Sequence, residues 1–181
     1  MSATVTSVPT GTWNVDPSHS VVQFSVKHMG IATVKGQFNA FEGSLTVGED
    51  GTATAAGTVE VASVDTREAQ RDEHLKSPDF FDAASHEQIT FRSTAIAPLD
   101  EETFKITGDI TIHGITKPIT LEAVVEGTDT DPWGRERVGL TVTGQLNRSD
   151  FEMKFNQALG SGNVLVSDKV KLALDISAVK A

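Results

Sequence analysis

The chain has 181 residues and a formal net charge of −10, with 25 Asp and Glu against 15 Lys and Arg. That length corresponds to one domain, able to bury a core without covalent staples. The absence of Cys excludes disulfides, thiolate metal sites and a cysteine nucleophile, the absence of Tyr removes a phenol acid, and the acidic surface argues against nucleic acid as a partner.

Residues 1–11 carry no Lys or Arg and no apolar run, so they do not read as a secretory signal. They are expected to be a flexible N-terminal segment, with residues 12–181 forming a single domain. No stretch approaches the ~18 apolar residues of a membrane helix, so no membrane span and a cytoplasmic location are expected.

From Ser20 onward the chain alternates with period two, the signature of half-buried strands. Val22, Phe24, Val26 and His28 share one face, against Val21, Gln23, Ser25 and Lys27. Between Gly36 and Val47 the phase slips. Phe38 and Ala40 share one parity, whereas Phe41, Gly43, Leu45 and Val47 share the other, which predicts a bulge or bend near Ala40 and Phe41. Strands are expected at Thr54–Val64 and Glu87–Ala97. Further inner rows are Phe104, Ile106, Gly108, Ile110 and Ile112; then Ile119, Leu121, Ala123 and Val125; then Val138, Leu140, Val142, Gly144 and Leu146; and last Val170, Leu172, Leu174 and Ile176.

One segment interrupts the strands. Asp65-Thr66-Arg67-Glu68 resembles a capping box, the stretch to Lys76 lacks β-branched residues, and Ser77-Pro78 ends it. A short helix over Arg67–Lys76 is therefore predicted, pinned to one end of the sheet by Leu75, Phe80 and Phe81. The strands are joined by turn-like breaks at Gly48–Gly51, Pro98–Thr103, His113-Gly114 and Asp129–Gly134, which suit antiparallel neighbours. Eight or nine strands with one apolar face each require a closed barrel or a sandwich. A barrel of about eight strands is either just filled or holds one small ligand.

Reactive constellations are sparse. Asp16, Ser18, His19 and Ser20 are the residue types of a hydrolase triad, but neighbours in an extended segment point apart, and a turn stabilised by Asp16 fits better. His19, His28, His74, His86 and His113 share no ligand spacing on a strand or helix, so no metal site is expected. Arg67, Arg71 and His74 form a basic ridge on the helix. It would either grip an anionic head group or pair with nearby loops.

The motifs resemble those of the YceI-like family, also described as polyisoprenoid-binding or lipocalin-like. Trp13-Asn14-Val15-Asp16-Pro17-Ser18-His19-Ser20 with Val22, Phe24, Val26 and His28 is similar to its first signature. Gly36-x-Phe38-x-x-Phe41-x-Gly43 is similar to the second. Arg71-Asp72-x-His74-Leu75-x-Ser77-x-Asp79-Phe80-Phe81-Asp82 is the most specific. Gly108-x-Ile110-Thr111-Ile112-His113-Gly114 with Thr116-Lys117-Pro118, and Arg148-Ser149-Asp150-Phe151, complete the set.

The resemblance implies an all-β, eight-stranded antiparallel lipocalin-like barrel with one short helix near an opening. It also implies a long-chain amphiphile as ligand: a polyisoprenoid, an isoprenoid quinone or a fatty-acid derivative. Homodimers are frequent in the family, which makes a homodimer an expectation here. The chain departs from the family pattern at Glu152, where Gly is usual, and at Lys169, where an acid is usual, and it is expected to depart on export, since residues 1–11 do not read as a signal. No catalytic residue and no cofactor carries over.

The tail is expected among Val22, Phe24, Val26, Phe38, Phe91, Phe104, Ile110, Ile112 and Leu140. His28 is the one expected inward ionisable group. The head group is expected near Arg71, His74 or Lys117. An enzyme acting on an isoprenoid lipid and a filled-barrel structural protein are the alternative readings.

Overall fold

The computed structural model describes residues 7–162 and 164–181. Its strands are β1 (Gly11–Val15), β2 (Val21–His28), β3 (Ala32–Phe38), β4 (Phe41–Val47), β5 (Ala53–Glu60), β6 (Val64–Asp65), β7 (Gln88–Pro98), β8 (Thr103–Ile112), β9 (Ile115–Thr130), β10 (Glu136–Asn147) and β11 (Val166–Lys180). One helix, α1, spans Ala69–Lys76.

These pieces make eight staves of one antiparallel barrel, because the first three staves are each broken in two. β1 and β2 are separated by a single 3-10 turn at Pro17–His19. β3 and β4 are separated by the bend at Asn39 and Ala40, where the alternation changes parity. β5 and β6 are separated by a 3-10 turn at Val61–Ser63. The last stave closes the ring. β11 pairs with β10 along one edge, and on the other edge with β2 through Val170–Asp175 and with β1 through Ala178–Lys180. Closure removes the free edges that would otherwise template aggregation.

The turns form where their chemistry demands. The two-residue β8–β9 turn has φ 56° at His113 and 75° at Gly114, the left-handed pair that suits the twist of a tight hairpin. Asp50 Oδ1 accepts the Thr52 N–H at 3.0 Å in the β4–β5 turn, and Asp100 Oδ1 accepts the Thr103 N–H at 2.8 Å in the β7–β8 turn. The helix starts later than the sequence suggests. Asp65 Oδ1 takes the Arg67 N–H at 2.9 Å, Arg67 turns to φ 69°, and Glu68 becomes the N-cap by accepting the Gln70 N–H. A tight Asp turn thus outcompetes the capping box.

Of the N-terminal segment, residues 1–6 lie outside the described residues. Val8 is 3% exposed and packs in the core beside Trp13, whose indole Nε1–H donates to the Pro9 carbonyl at 2.9 Å. No helix of the described residues is long and apolar enough to cross a membrane.

Candidate functional site

Two buried clusters occupy opposite parts of the barrel. One gathers Val8, Trp13, Val47, Ile96, Phe104, Val138 and Ala178. The other gathers Ile110, Ile112, Ile119, Phe151 and Met153, with Phe81, Ile89 and Phe91 packed against it. Between them runs a cavity of about 260 Å³ with an almost wholly apolar lining. The barrel is hollow rather than filled.

The hollow has a cause in the sequence. The inner row of β5 is Ala53, Ala55 and Gly57, and its partners on β4 are Val47, Leu45 and Gly43. Gly43 and Gly57 pair directly, so this stretch of the wall is bare backbone, whereas Phe24, Phe91 and Leu140 on other strands line the bore with large side chains. A Cβ built on Gly57 meets only the Glu42 carbonyl oxygen, at 3.5 Å. Elsewhere a glycine serves the opposite purpose. A Cβ on Gly36 would stand 2.4 Å from the Phe24 ring, which lies across that glycine from the neighbouring strand.

Val22, Phe24, Phe38, Phe91, Phe104, Ile110, Ile112 and Leu140 all line the cavity. Phe24 and Phe38 pack at 5.5 Å between ring centroids, and Phe38 in turn meets Phe81 edge-on at 5.8 Å. The cavity does not take in Val26, His28, Arg71, His74 or Lys117. Val26 and His28 sit toward the far end of β2, with His28 opposite Ala32 and Val166. Arg71 is spent on structure: Nε donates to Thr66 Oγ1 at 2.8 Å and Nη2 to the Thr66 carbonyl at 2.7 Å. His74 Nε2 contacts Asp79 Oδ2 at 2.9 Å, and its ring is flanked by Phe80 and Phe155. Lys117 is exposed on β9. Arg71 and His74 are thus each paired with a turn flanking α1.

Lining residues that the sequence reading did not place on an inner row include Val15, Ala53, Ala55 and Gly57. The alternation Ala53-x-Ala55-x-Gly57 was a readable sign that one inner row is short of volume.

The Asp16 segment is structural. Ser18 Oγ and Asp16 Oδ2 both approach the same ring nitrogen of His19, Nδ1, at 3.0 and 2.9 Å. A relay needs opposite nitrogens, and the His19 side chain is 65% exposed. Asp16 instead accepts the Ser18 N–H and an Arg137 bond at 2.9 Å, and Arg137 Nε reaches Asp131 Oδ2 at 2.9 Å. The Ser18 hydroxyl, Arg137 and His19 hold the Asp16 carboxyl well below the usual carboxylate range. At Asp131 desolvation pushes upward but is outweighed by the Arg135 N–H, Arg137 and the Trp133 N–H, which bring it to about 2.

Arg148, 5% exposed, donates to four carbonyl oxygens, those of Ser167, Met153, Phe155 and Val166, at 2.8–3.1 Å. Burial pulls its guanidinium below the ordinary arginine range, with Asp168 acting against the shift. It fixes the long connection between β10 and β11 over the Phe151 end of the barrel.

Comparison with known proteins agrees with this architecture. The model of the YceI-like domain matches residues 13–178. A UPF0312 protein of Vibrio parahaemolyticus is 38% identical over 165 residues, covering 90% of this chain and 83% of the relative. Protein YceI of Escherichia coli is 41% identical over 138 residues, covering 75% of this chain and 72% of that protein. Among solved structures, the Campylobacter jejuni YCEI protein superposes with a TM-score of 0.74 at 30% identity, covering 86% of this chain and 90% of its own. A polyisoprenoid binding domain from Saccharophagus degradans shares the fold, with a TM-score of 0.69 at 14% identity over 93% of this chain and 98% of its own. With the family model matched over residues 13–178 and relatives at 38% and 41% identity, the chain belongs to the YceI-like family.

Proposed function

We propose that the protein takes the aliphatic tail of a long-chain amphiphile into its barrel and acts as a carrier or sequestering protein for it. The ligand class is a polyisoprenoid, an isoprenoid quinone or a fatty-acid derivative. The observation that carries this reading is the apolar cavity of about 260 Å³. A methylene occupies about the space of one liquid water, ~30 Å³, so the bore takes roughly nine tail carbons. At ~0.8 kcal/mol each they supply ~7 kcal/mol before ordering costs, an affinity of roughly 10 μM. A longer tail displaces a plug side chain at one end, either near Val8 and Trp13 or near Phe81 and Phe151.

The lining favours a binder over an enzyme. Among the described residues that line the bore, Glu42 is the one acid or base, and its side chain is exposed on the outer row. The Saccharophagus degradans domain, which shares the fold, is a polyisoprenoid binding domain, in keeping with a tail in the bore. The hollow also argues against a filled structural barrel.

The test is displacement of a fluorescent fatty-acid analogue by saturated acids of increasing length. The expected result is a gain of about fourfold per methylene, slackening beyond about nine buried carbons. Affinity independent of chain length contradicts the reading.

A further inference from the structure

The loop after α1 and the β8–β9 turn bring together three side chains that the bore does not use. Asp82, His86 and His113 are each half-buried, and one ligand atom from each lies within 4.8 Å of the other two. The backbone places them. The Ser85 and His86 N–H groups donate to the Asp82 carbonyl at 3.0 and 2.9 Å, a tight turn that Asp82 enters at φ 50° and that brings His86 back beside it. His113 opens the β8–β9 turn, and Gly114 completes it at φ 75°. A Cβ on Gly114 would stand 2.8 Å from His86 Cε1, so glycine leaves the room that the second imidazole needs. The two rings meet edge to face with centroids 4.9 Å apart.

The His113 ring is already oriented. Its Nδ1 lies 2.9 Å from the Phe151 carbonyl oxygen. That oxygen only accepts, so Nδ1 carries the proton and Nε2 keeps its lone pair. A carbonyl on the second nitrogen is the outer-shell contact that fixes metal-ligating imidazoles. Among the described residues, neither the Asp82 carboxylate nor the His86 ring makes a hydrogen bond that would compete.

We infer that Asp82, His86 and His113 bind one divalent cation of the zinc class. Two imidazoles and one carboxylate, without thiolate, suit zinc and its neighbours rather than calcium or magnesium, which take oxygen shells. Tetrahedral ligands at ~2.0–2.1 Å from zinc stand about 3.4 Å apart, so atoms now within 4.8 Å of one another close by about 1.4 Å at most. Water takes the fourth position. The ion ties the 82–86 segment to the β8–β9 turn, beside Phe81 and Phe151. The sequence reading expected no metal here because the ligands come from two separate turns, not from one strand or helix. None of the three residues lines the bore.

The experiment is calorimetric titration of chelator-treated full-length protein with zinc chloride, together with thermal melting and cobalt(II) absorption. One equivalent is expected to bind, to raise the melting temperature, and to give the visible bands of tetrahedral cobalt. His86→Ala is expected to weaken zinc binding by more than ~100-fold, beyond the loss from removing an outer-shell partner. Its metal-free melting temperature should stay unchanged. His86→Gln guards against a packing defect and is expected to show the same loss. His19→Ala, far from the cluster in sequence and exposed, is expected to bind zinc as the parent does. Absence of stoichiometric binding by the parent, or parental binding by the folded His86 variants, overturns the inference.

Discussion

Gly57→Leu tests whether the bore is the place where a tail lies. Gly57 sits on the inner row of β5, opposite Gly43 on one side and Phe91 on the other. A Cβ there has the Glu42 carbonyl oxygen, at 3.5 Å, as its nearest neighbour. The new side chain starts without a clash on a residue that lines the bore, and adds four carbons. If each displaces one tail methylene, binding loses ~3 kcal/mol at ~0.8 kcal/mol apiece, roughly 200-fold in Kd. The fold should not weaken, because a glycine inside a strand costs about 0.5–1 kcal/mol relative to residues with a side chain. Titration of a fluorescent fatty-acid analogue gives the affinity, and urea unfolding gives the stability. Thr54→Leu, on the exposed row of the same strand, is the control and should bind as the parent does. Unchanged affinity in a Gly57→Leu protein with a retained unfolding midpoint would refute a tail in the bore.

Arg148→Met leaves four carbonyl oxygens without their donor, and is expected to lower unfolding free energy by about 3 kcal/mol or more in urea titration. Glu152 holds φ 61° after the 3-10 turn at Arg148–Phe151. Glu152→Gly should gain ~0.5–1 kcal/mol, read as a rise in melting temperature, once the glycine's extra unfolded-state entropy is subtracted. The Asp16–Arg137–Asp131 network predicts an acid limb in stability. Both carboxyls hold protons less readily folded than unfolded, so their contribution is complete above the ordinary aspartate range of ~4. It is lost as pH falls through Asp131's folded value of about 2. Urea midpoints measured across that window should fall in the parent and fall less in Arg137→Met; equal slopes would contradict the assignment.

The strands were legible because each carries one apolar row, and the parity slip at Ala40 and Phe41 located the bend between β3 and β4 correctly. The start of α1 was misread because Asp65 makes a local turn with the Arg67 N–H, a competition that residue types alone do not decide. The aromatic half of the bore was legible as inner-row Phe and Ile. The hollow half was not, because it consists of side chains that are missing, at Gly43, Ala55 and Gly57. The partners of the residues expected near a head group were not legible either. Arg71 and His74 look free in sequence, but Thr66 and Asp79, brought close by the turns at either end of the helix, occupy them. The meeting of His86 with His113 depends on two turns separated by two strands, which no spacing rule reveals.

The central claim is a tail in the bore. Mass spectrometry of lipid extracted from natively purified protein tests it most directly, with Gly57→Leu purified in parallel. The account predicts about one long-chain amphiphile per parent chain and strong depletion in the variant. A parent protein free of lipid, or equal lipid in both, would contradict it.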